Sequence, residues 1–267
     1  MIPLHDESRP HLTPWVVRTV VLLCVAVWFY QLTLIGNAEL LFFYQYGLVP
    51  ASFFDHAELP ADAAVIDPWL TLVTTIFVHG GFLHLLGNML FLWTFGDNIE
   101  DSMGHVRFGV FFLLTGAFAA FCHGVWDMES TVPLVGASGA VSGILGGYIL
   151  LYPRSRILVG IPLGPIFLPI RLRAWVLIGI WFGLQIFNVI NSGIDGGGTA
   201  WLAHIGGFVA GLILLPIFKY RHRKLFSNET AMAVSNRAKP LALKIMRPDP
   251  HPCAPSSGSP WKRGPWG

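Results

Sequence analysis

Six long apolar runs constrain this chain more than any other feature of its sequence. Most of them are close to the ~20 residues with which a helix crosses the hydrocarbon core of a bilayer. The runs extend over Thr19 to Ile35, Leu70 to Phe95, Phe108 to Phe121, Leu134 to Tyr152, Ala174 to Ile190 and Ala200 to Phe218. The predicted fold is therefore an all-α membrane protein, a polytopic bundle of six transmembrane helices.

The composition favours the same class. Of the 267 residues, 54% are hydrophobic and only 12% are charged, so a soluble globule of this length would be short of charged surface. The lipid bilayer is the expected surroundings, and the net charge of +2 gives no indication of a nucleic-acid partner. A shorter apolar segment between Arg156 and Arg171 is interrupted by proline and glycine. We interpret it as a hairpin at the membrane interface.

Lysine and arginine are distributed unevenly among the predicted connections. The first, third and fifth connections contain none, whereas the two ends of the chain and the other connections contain all 17. Because positive charges near span ends are retained in the cytoplasm, both termini are expected there. The bacterial cytoplasmic (inner) membrane is the expected location of this integral membrane protein.

The chain is expected to have three parts. A cytoplasmic N-terminal segment of residues 1–11 precedes a membrane domain of residues 12–220. In residues 221–267, proline, serine and glycine crowd together without apolar periodicity. That composition predicts a disordered, Pro-rich cytoplasmic tail.

Polar side chains collect near one end of three predicted spans. With both termini inside, spans two, four and six begin on the outer side, so their first turns share one depth. Polar groups at that depth are costly and usually functional. They are His79, His84 and Asn88 in span two, Ser138 and Ser142 in span four, and His204 in span six. Spans three and five offer much less, chiefly Gln185 and Asn188.

The spacing in span two separates its polar residues into two sets. His84 and Asn88 are four positions apart and share one face of a helix. His79 is five positions before His84, which places it about 140° away around the helix axis. We therefore expect His79 to support the site from its edge at most.

Glycines repeat every four residues in spans four and six. Small residues at this spacing let two membrane helices approach closely. Close approach is what a hydrogen bond between Ser138 and His204 requires. The repeats consist of Gly139, Gly143 and Gly147 in span four and of Gly207 and Gly211 in span six. We interpret these glycines as helix-packing residues whatever the function is.

Hydrolysis of an amide needs an activated nucleophile and donors for the oxyanion. Serine becomes nucleophilic when a base takes its proton, and a neutral imidazole suits that task near neutral pH. We predict a dyad of Ser138 and His204, because spans four and six contain no carboxylate. Asn88, His84 and the backbone N–H of Ser138 are the expected oxyanion donors. No cofactor and no metal ion are expected.

Each part of this set has a simpler explanation when it is taken alone. A Gly-x-Ser-Gly sequence in a membrane helix usually serves packing. His84 and Asn88 alone are typical of hydrogen bonds between helices, and His204 alone is typical of a satisfied buried histidine. Their agreement in depth and order favours catalysis.

These residues resemble the rhomboid family of intramembrane serine proteases. The resemblance extends over residues 12–218, and the connection from Gly96 to Phe108 also matches the family's short second loop. Its motifs are His79-x-x-x-x-His84-Leu-x-x-Asn88-Met89, Gly136-Ala137-Ser138-Gly139 and Ala203-His204-x-Gly-Gly207-x-x-x-Gly211.

The resemblance implies a rhomboid-like bundle of six helices with a water-filled cavity that opens to the outer side. It implies Ser138 as nucleophile, His204 as general base, and His84 and Asn88 as oxyanion donors. His79 and Gly136 receive supporting roles. The implied substrates are single-span membrane proteins, which are cut in or near the bilayer at a small residue in an easily unwound segment.

The sequence is also compatible with two other functions. One is a catalytically silent rhomboid-like protein that binds single-span membrane clients without cutting them. The other is a transporter or metal permease that uses His79, His84, His123 and His204. The sequence weakens the second, because the spans lack both an acidic residue and inverted pairs of broken helices.

Overall fold

The computed structural model describes residues 2–7, 10–163, 166–192 and 200–226. This part of the chain is mostly helical, although a three-stranded sheet accompanies the helices of the predicted all-α protein. Its helices are α1 (Trp15–Gln31), α2 (Asn37–Tyr46), α3 (Pro50–Phe53), α4 (Pro68–Thr74), α5 (Phe82–Met103), α6 (His105–Trp126), α7 (Ser138–Leu151), α8 (Ala174–Ser192) and α9 (Trp201–Phe218). Its strands are β1 (Ile2–Asp6), β2 (Arg156–Leu163) and β3 (Ile166–Arg173). The predicted disordered tail lies outside the described residues from 227 onward, and so does most of the fifth connection.

Three of the described helices are long and apolar enough to cross a membrane. These are α6, α8 and α9, while α1 and α7 are shorter apolar helices. Helix α5 has 22 residues, but its last two turns carry several acidic side chains. The apolar helices are those of an integral membrane protein. The count of six spans stays a prediction.

Helix α7 lies in the middle of the bundle, between α5, α6 and α9. Its contact with α9 is made by backbone atoms. A Cβ atom at Gly207 would collide with the carbonyl oxygen of Gly139, and one at Gly211 would collide with that of Gly143. Because the second contact lies four residues further along both helices than the first, α7 and α9 run in parallel.

The second apolar run does not form one helix from Leu70 to Phe95. Helix α4 ends at Thr74, residues 75–81 are not α-helical, and α5 begins at Phe82 and continues to Met103. The expectation that His79 and His84 share one helix was wrong. The break follows from the chain itself, because two consecutive glycines at 80 and 81 disfavour a helix.

The second connection is also shorter than the expected Gly96 to Phe108. It consists of Gly104 alone, between α5 and α6, with a φ of +82° that favours glycine. The Tyr220 hydroxyl occupies the place where a Cβ of Gly104 would lie. The turn between the two helices is therefore closed by a residue from beyond α9.

A three-stranded antiparallel sheet lies near the C-terminal end of α7. Strands β2 and β3 form the predicted hairpin, from the pair Arg156 and Arg173 onward, and β1 adds a third strand to β2. The Asp6 carboxylate at the end of β1 accepts hydrogen bonds from Asn98 Nδ2 and the Tyr148 hydroxyl. The sheet is thereby joined to α5 and α7.

Two buried acidic residues near the end of α5 hold both ends of the described chain. The Glu100 carboxylate accepts the N–H groups of Val16 and Val17 at 3.0 and 2.9 Å, which satisfies donors at the start of α1. Asp101 accepts a backbone N–H from Leu12 at 2.9 Å and forms an ion pair of 2.5 Å with Arg223. Neither contact was predicted.

Candidate active site

Ser138 is the first residue of α7, and it is partly buried. The loop before it turns at Gly136, whose φ of +122° suits glycine and whose N–H donates to the Thr75 carbonyl at 2.9 Å. The N–H of Ser138 has no acceptor within its own helix, because the first turn of a helix lacks one. That N–H and the positive end of the helix dipole are suited to an anion beside Ser138.

His84 and Asn88 lie against the loop that leads into Ser138. A Cβ atom at Gly136 would lie 2.6 Å from His84 Nε2 and 3.6 Å from Asn88 Nδ2. The first turn of α5 and the first turn of α7 therefore meet at one end of the bundle. At the opposite end, the rings of Phe95 and Tyr148 are 4.9 Å apart, so the two helices run in parallel.

The amide of Asn88 is a buried donor for which no described residue supplies an acceptor. The residue is 7% exposed, and among the described residues its Nδ2 atom makes no hydrogen bond. Leaving such a donor unpaired costs about 1–3 kcal/mol. Unpaired buried donors of this kind call for a functional explanation.

His79 precedes α5 and is fully buried. Its ring lies 5.3 Å from that of His84, centroid to centroid, in an edge-on arrangement. Its backbone N–H donates to Gln31 Oε1 at 3.2 Å, and its carbonyl accepts from Gln31 Nε2 at 2.9 Å. His79 therefore packs against His84 and ties the loop before α5 to α1.

His204 lies in the first turn of α9, beside the start of α7. A Cβ atom at Gly139 would lie 3.8 Å from the Ala203 carbonyl oxygen, so the neighbours of Ser138 and His204 are adjacent. Among the residues with described side chains, no hydrogen bond joins Ser138 Oγ to His204. Catalytic hydrogen bonds are often long in free enzymes and tighten when substrate binds. Ser142, one turn further along α7, is fully buried, and its hydroxyl donates to the Ser138 carbonyl at 2.6 Å.

Gln185 of α8 contacts His204, which sequence reasoning did not foresee. Its Oε1 atom is 2.9 Å from His204 Nδ1, and the residue is 4% exposed. The rings of Trp181 and Trp201 lie 5.9 and 6.0 Å from the imidazole. The only signal in the sequence was a polar side chain in an apolar span, and it gave no indication of the helix that Gln185 faces.

Comparison with known proteins places the chain among rhomboid sequences. The Rhomboid domain family matches residues 67–221, a range that includes every candidate site residue. Rhomboid protease GluP of Bacillus subtilis is 35% identical over 148 residues, which are 54% of this chain and 25% of that protein. Rhomboid protein 1, mitochondrial, of Saccharomyces cerevisiae is 28% identical over 166 residues, which are 58% of this chain and 45% of that protein.

A further relative is Rhomboid-type serine protease 2 of Emericella nidulans. It is 29% identical over 158 residues, which are 57% of this chain and 27% of that protein. The matched part of this chain thus spans less than half the length of each of these three relatives.

Proposed function

The chain belongs to the rhomboid family, and we propose that it is an intramembrane serine endopeptidase with Ser138 as nucleophile and His204 as general base. The names of two of the relatives above contain the word protease, which supports hydrolysis of peptide bonds. Family membership also argues against the transporter hypothesis. The alternative within the family is a silent protein that binds membrane clients without cutting them.

One observation carries the choice of hydrolysis over silent binding. The Asn88 amide is buried beside Gly136, two residues before Ser138, and its Nδ2 atom has no acceptor among the described residues. An oxyanion that develops on a carbonyl held over Ser138 would supply that acceptor. A protein that only binds clients has no need of such a donor at this position.

The proposed reaction begins with proton transfer. His204 Nε2 takes the proton of the Ser138 hydroxyl while Oγ attacks the carbonyl carbon of the scissile bond. The carbonyl oxygen becomes an oxyanion, which Asn88 Nδ2, a ring N–H of His84 and the Ser138 backbone N–H stabilise. In a site with little water, these donors act more strongly than they would in bulk solvent.

The second part of the reaction releases the products. The imidazolium of His204 returns the proton to the leaving amine as the C–N bond breaks, and an acyl ester on Ser138 remains. Water, deprotonated by the same imidazole, then hydrolyses the ester and restores the free serine. No step requires a metal or another cofactor.

The proposed substrates are single-span membrane proteins that are cut in or near their transmembrane segment. A peptide bond in a regular helix is hydrogen-bonded internally, so its carbonyl is hidden from a nucleophile. Glycine or proline near the cleaved bond would lower that barrier. A small residue at the cleaved bond is part of the same proposal, as the resemblance to the rhomboid family implies.

The proposed topology has six spans, namely α1, α5, α6, α7, α8 and α9. Both termini are placed in the cytoplasm, with the bacterial inner membrane as the location. The first turns of α5, α7 and α9 lie at one end of the bundle, which supports an active site that opens to the outer side. The distribution of lysine and arginine supports the same orientation.

The test uses the purified full-length protein in detergent. A fluorescent fluorophosphonate, which reacts with activated serines, is compared on the wild type, Ser138→Ala and His204→Ala. We expect labelling of the wild type and none of either variant, since each removes one half of the dyad. Ser102→Ala is the control, because Ser102 is a fully buried serine near the far end of α5, where its hydroxyl donates to the Ile99 carbonyl at 2.7 Å.

A single-span substrate in liposomes gives the second readout. Cleavage that Ser138→Ala and His204→Ala both abolish, with unchanged membrane insertion, is the result that the proposal predicts. Substrate capture without cleavage by the wild type, and equal capture by Ser138→Ala, would establish the silent binding protein instead.

A further inference from the structure

We propose that Gln185 is a positioning residue that fixes which ring nitrogen of His204 acts as the base. The assignment rests on the proposed function, since it concerns the same serine and histidine. It replaces a dyad by a chain of three side chains from three helices, Ser138 of α7, His204 of α9 and Gln185 of α8. The observation behind it is the hydrogen bond of 2.9 Å between His204 Nδ1 and Gln185 Oε1.

The orientation of the Gln185 amide is determined by a second hydrogen bond. Its Nε2 group donates to the Trp181 carbonyl, one turn earlier on α8, at 3.0 Å. Since the nitrogen is engaged by an acceptor, the atom that faces His204 is the oxygen. The amide is thus held in one orientation by the backbone of its own helix, and burial of the residue keeps competing water away.

This orientation selects one tautomer of His204. An amide oxygen only accepts hydrogen bonds, so the Nδ1 atom that faces it must carry the proton. In a neutral imidazole the lone pair then resides on Nε2. Nε2 is the nitrogen that has to be free of a proton in order to take one from Ser138.

The same hydrogen bond supports the charged form of the ring. When Nε2 receives the serine proton, Nδ1 keeps its own, and the donor becomes part of an imidazolium. Hydrogen bonds from charged donors are stronger than neutral ones. Gln185 therefore stabilises the transition state more than the resting enzyme, and the proton itself moves only between Ser138 and His204.

Two substitutions of Gln185 test the role. Gln185→Met keeps the length and volume of the side chain but removes the acceptor oxygen. Loss of one hydrogen bond of ordinary strength predicts a labelling rate about tenfold lower. Gln185→Glu keeps an acceptor, so we expect most of the rate to return at alkaline pH. Because an ionised acceptor favours the imidazolium, the acid limb of the pH–rate profile is expected to move upward by about one pH unit.

Asn191→Leu is the matched control for both variants. Asn191 is on the same helix, and its amide likewise donates to a carbonyl one turn earlier, that of Phe187, at 2.6 Å. It is exposed and does not contact His204. We expect its labelling rate and pH–rate profile to equal those of the wild type.

The outcomes separate this assignment from the proposed function. A wild-type rate and pH profile for Gln185→Met would overturn the assignment alone, provided that Ser138→Ala and His204→Ala still abolish labelling. If Gln185→Met does not fold, Gln185→Glu decides, and an unshifted acid limb would overturn it. A wild type that neither reacts with the probe nor cleaves a substrate would overturn the function and this assignment together.

Discussion

Helices α7 and α8 each carry one residue of the proposed site, Ser138 and Gln185, but the two helices are packed differently. Nearly all of α7 is buried, and it touches α9 through glycine backbones. On α8, by contrast, a Cβ atom added at Gly179 or Gly183 would meet nothing within 4 Å, and Leu184 and Phe187 are 51% and 60% exposed. Ser138 thus lies on a helix that cannot shift without disrupting its neighbours, whereas Gln185 lies on a loosely packed part of α8.

Around Gln185, the described contacts of α8 with α9 are made by side chains, although backbone hydrogen bonds hold the start of α8 at Ala174 and Trp175. Phe182 stacks on Phe208 of α9 at 4.3 Å between centroids, and Gln185 reaches His204. Side-chain contacts can break and reform without a change in backbone packing. Displacement of this part of α8 would therefore separate Gln185 from His204 while Ser138, His84 and Asn88 stay in place.

The largest expected effect comes from the glycines between α7 and α9. In Gly207→Ala, the new methyl group collides with the Gly139 carbonyl oxygen, and overpacking of this kind costs about 1–3 kcal/mol. We expect a lower unfolding temperature in detergent and loss of probe labelling. Gly183→Ala on α8 is the control, and there we expect equal or higher stability, by up to about 1 kcal/mol, because a helix prefers alanine. Equal losses of stability in Gly207→Ala and Gly183→Ala would contradict the difference in packing between α7 and α8.

The second prediction concerns two asparagines of α5. Asn88→Leu removes the unpaired donor beside Ser138, so we expect kcat to fall by about 10²–10³ while the unfolding temperature stays equal or rises. In Asn98→Ala, the hydrogen bond of 2.8 Å to Asp6 is lost, and we expect lower stability with little change in kcat. Both quantities are measured on the same protein in liposomes and in detergent. A stability loss in Asn88→Leu as large as that in Asn98→Ala would contradict the assignment of Asn88.

The smallest effect is expected on α8 itself. Phe182→Ala removes the stack on Phe208, and an aromatic pair of this kind is worth about 0.5–1.5 kcal/mol. If substrates enter past α8, cleavage of a single-span substrate in liposomes should rise about threefold, while labelling by a small soluble probe should not. Phe187→Ala is the control, since that ring is exposed. An unchanged or lower cleavage rate in Phe182→Ala would argue against entry past α8.

Much of the candidate site could be predicted from the sequence because it depends on local spacing and depth. The spacing of four positions from His84 to Asn88 and the glycine repeats in two spans can be read without knowledge of distant contacts. The structure brings the first turns of α5, α7 and α9 together as expected. The catalytic roles of Ser138 and His204 stay predictions.

The parts that could not be predicted depend on contacts between distant residues. Hydropathy does not indicate that α4 and α5 are separate, because both are apolar, although the pair of glycines at 80 and 81 was a usable signal. Gln185 faces His204 only because α8 packs on α9 in one particular rotation. The Glu100 bonds to Val16 and Val17 join positions 84 and 83 residues apart, and periodicity carries no information about such pairs.

The contacts of Asp6 also restrict the order in which this end of the protein can assemble during synthesis. Its partner Tyr148 follows it by 142 positions, and the strand that carries Asp6 pairs with β2, which is made later still. Until β2 is made, this strand lacks the strand with which it pairs, although Asn98 of α5 is already present. The sheet can therefore form only after α7 has been made, so a pairing that forms late at this end of the protein belongs to one of its earliest residues.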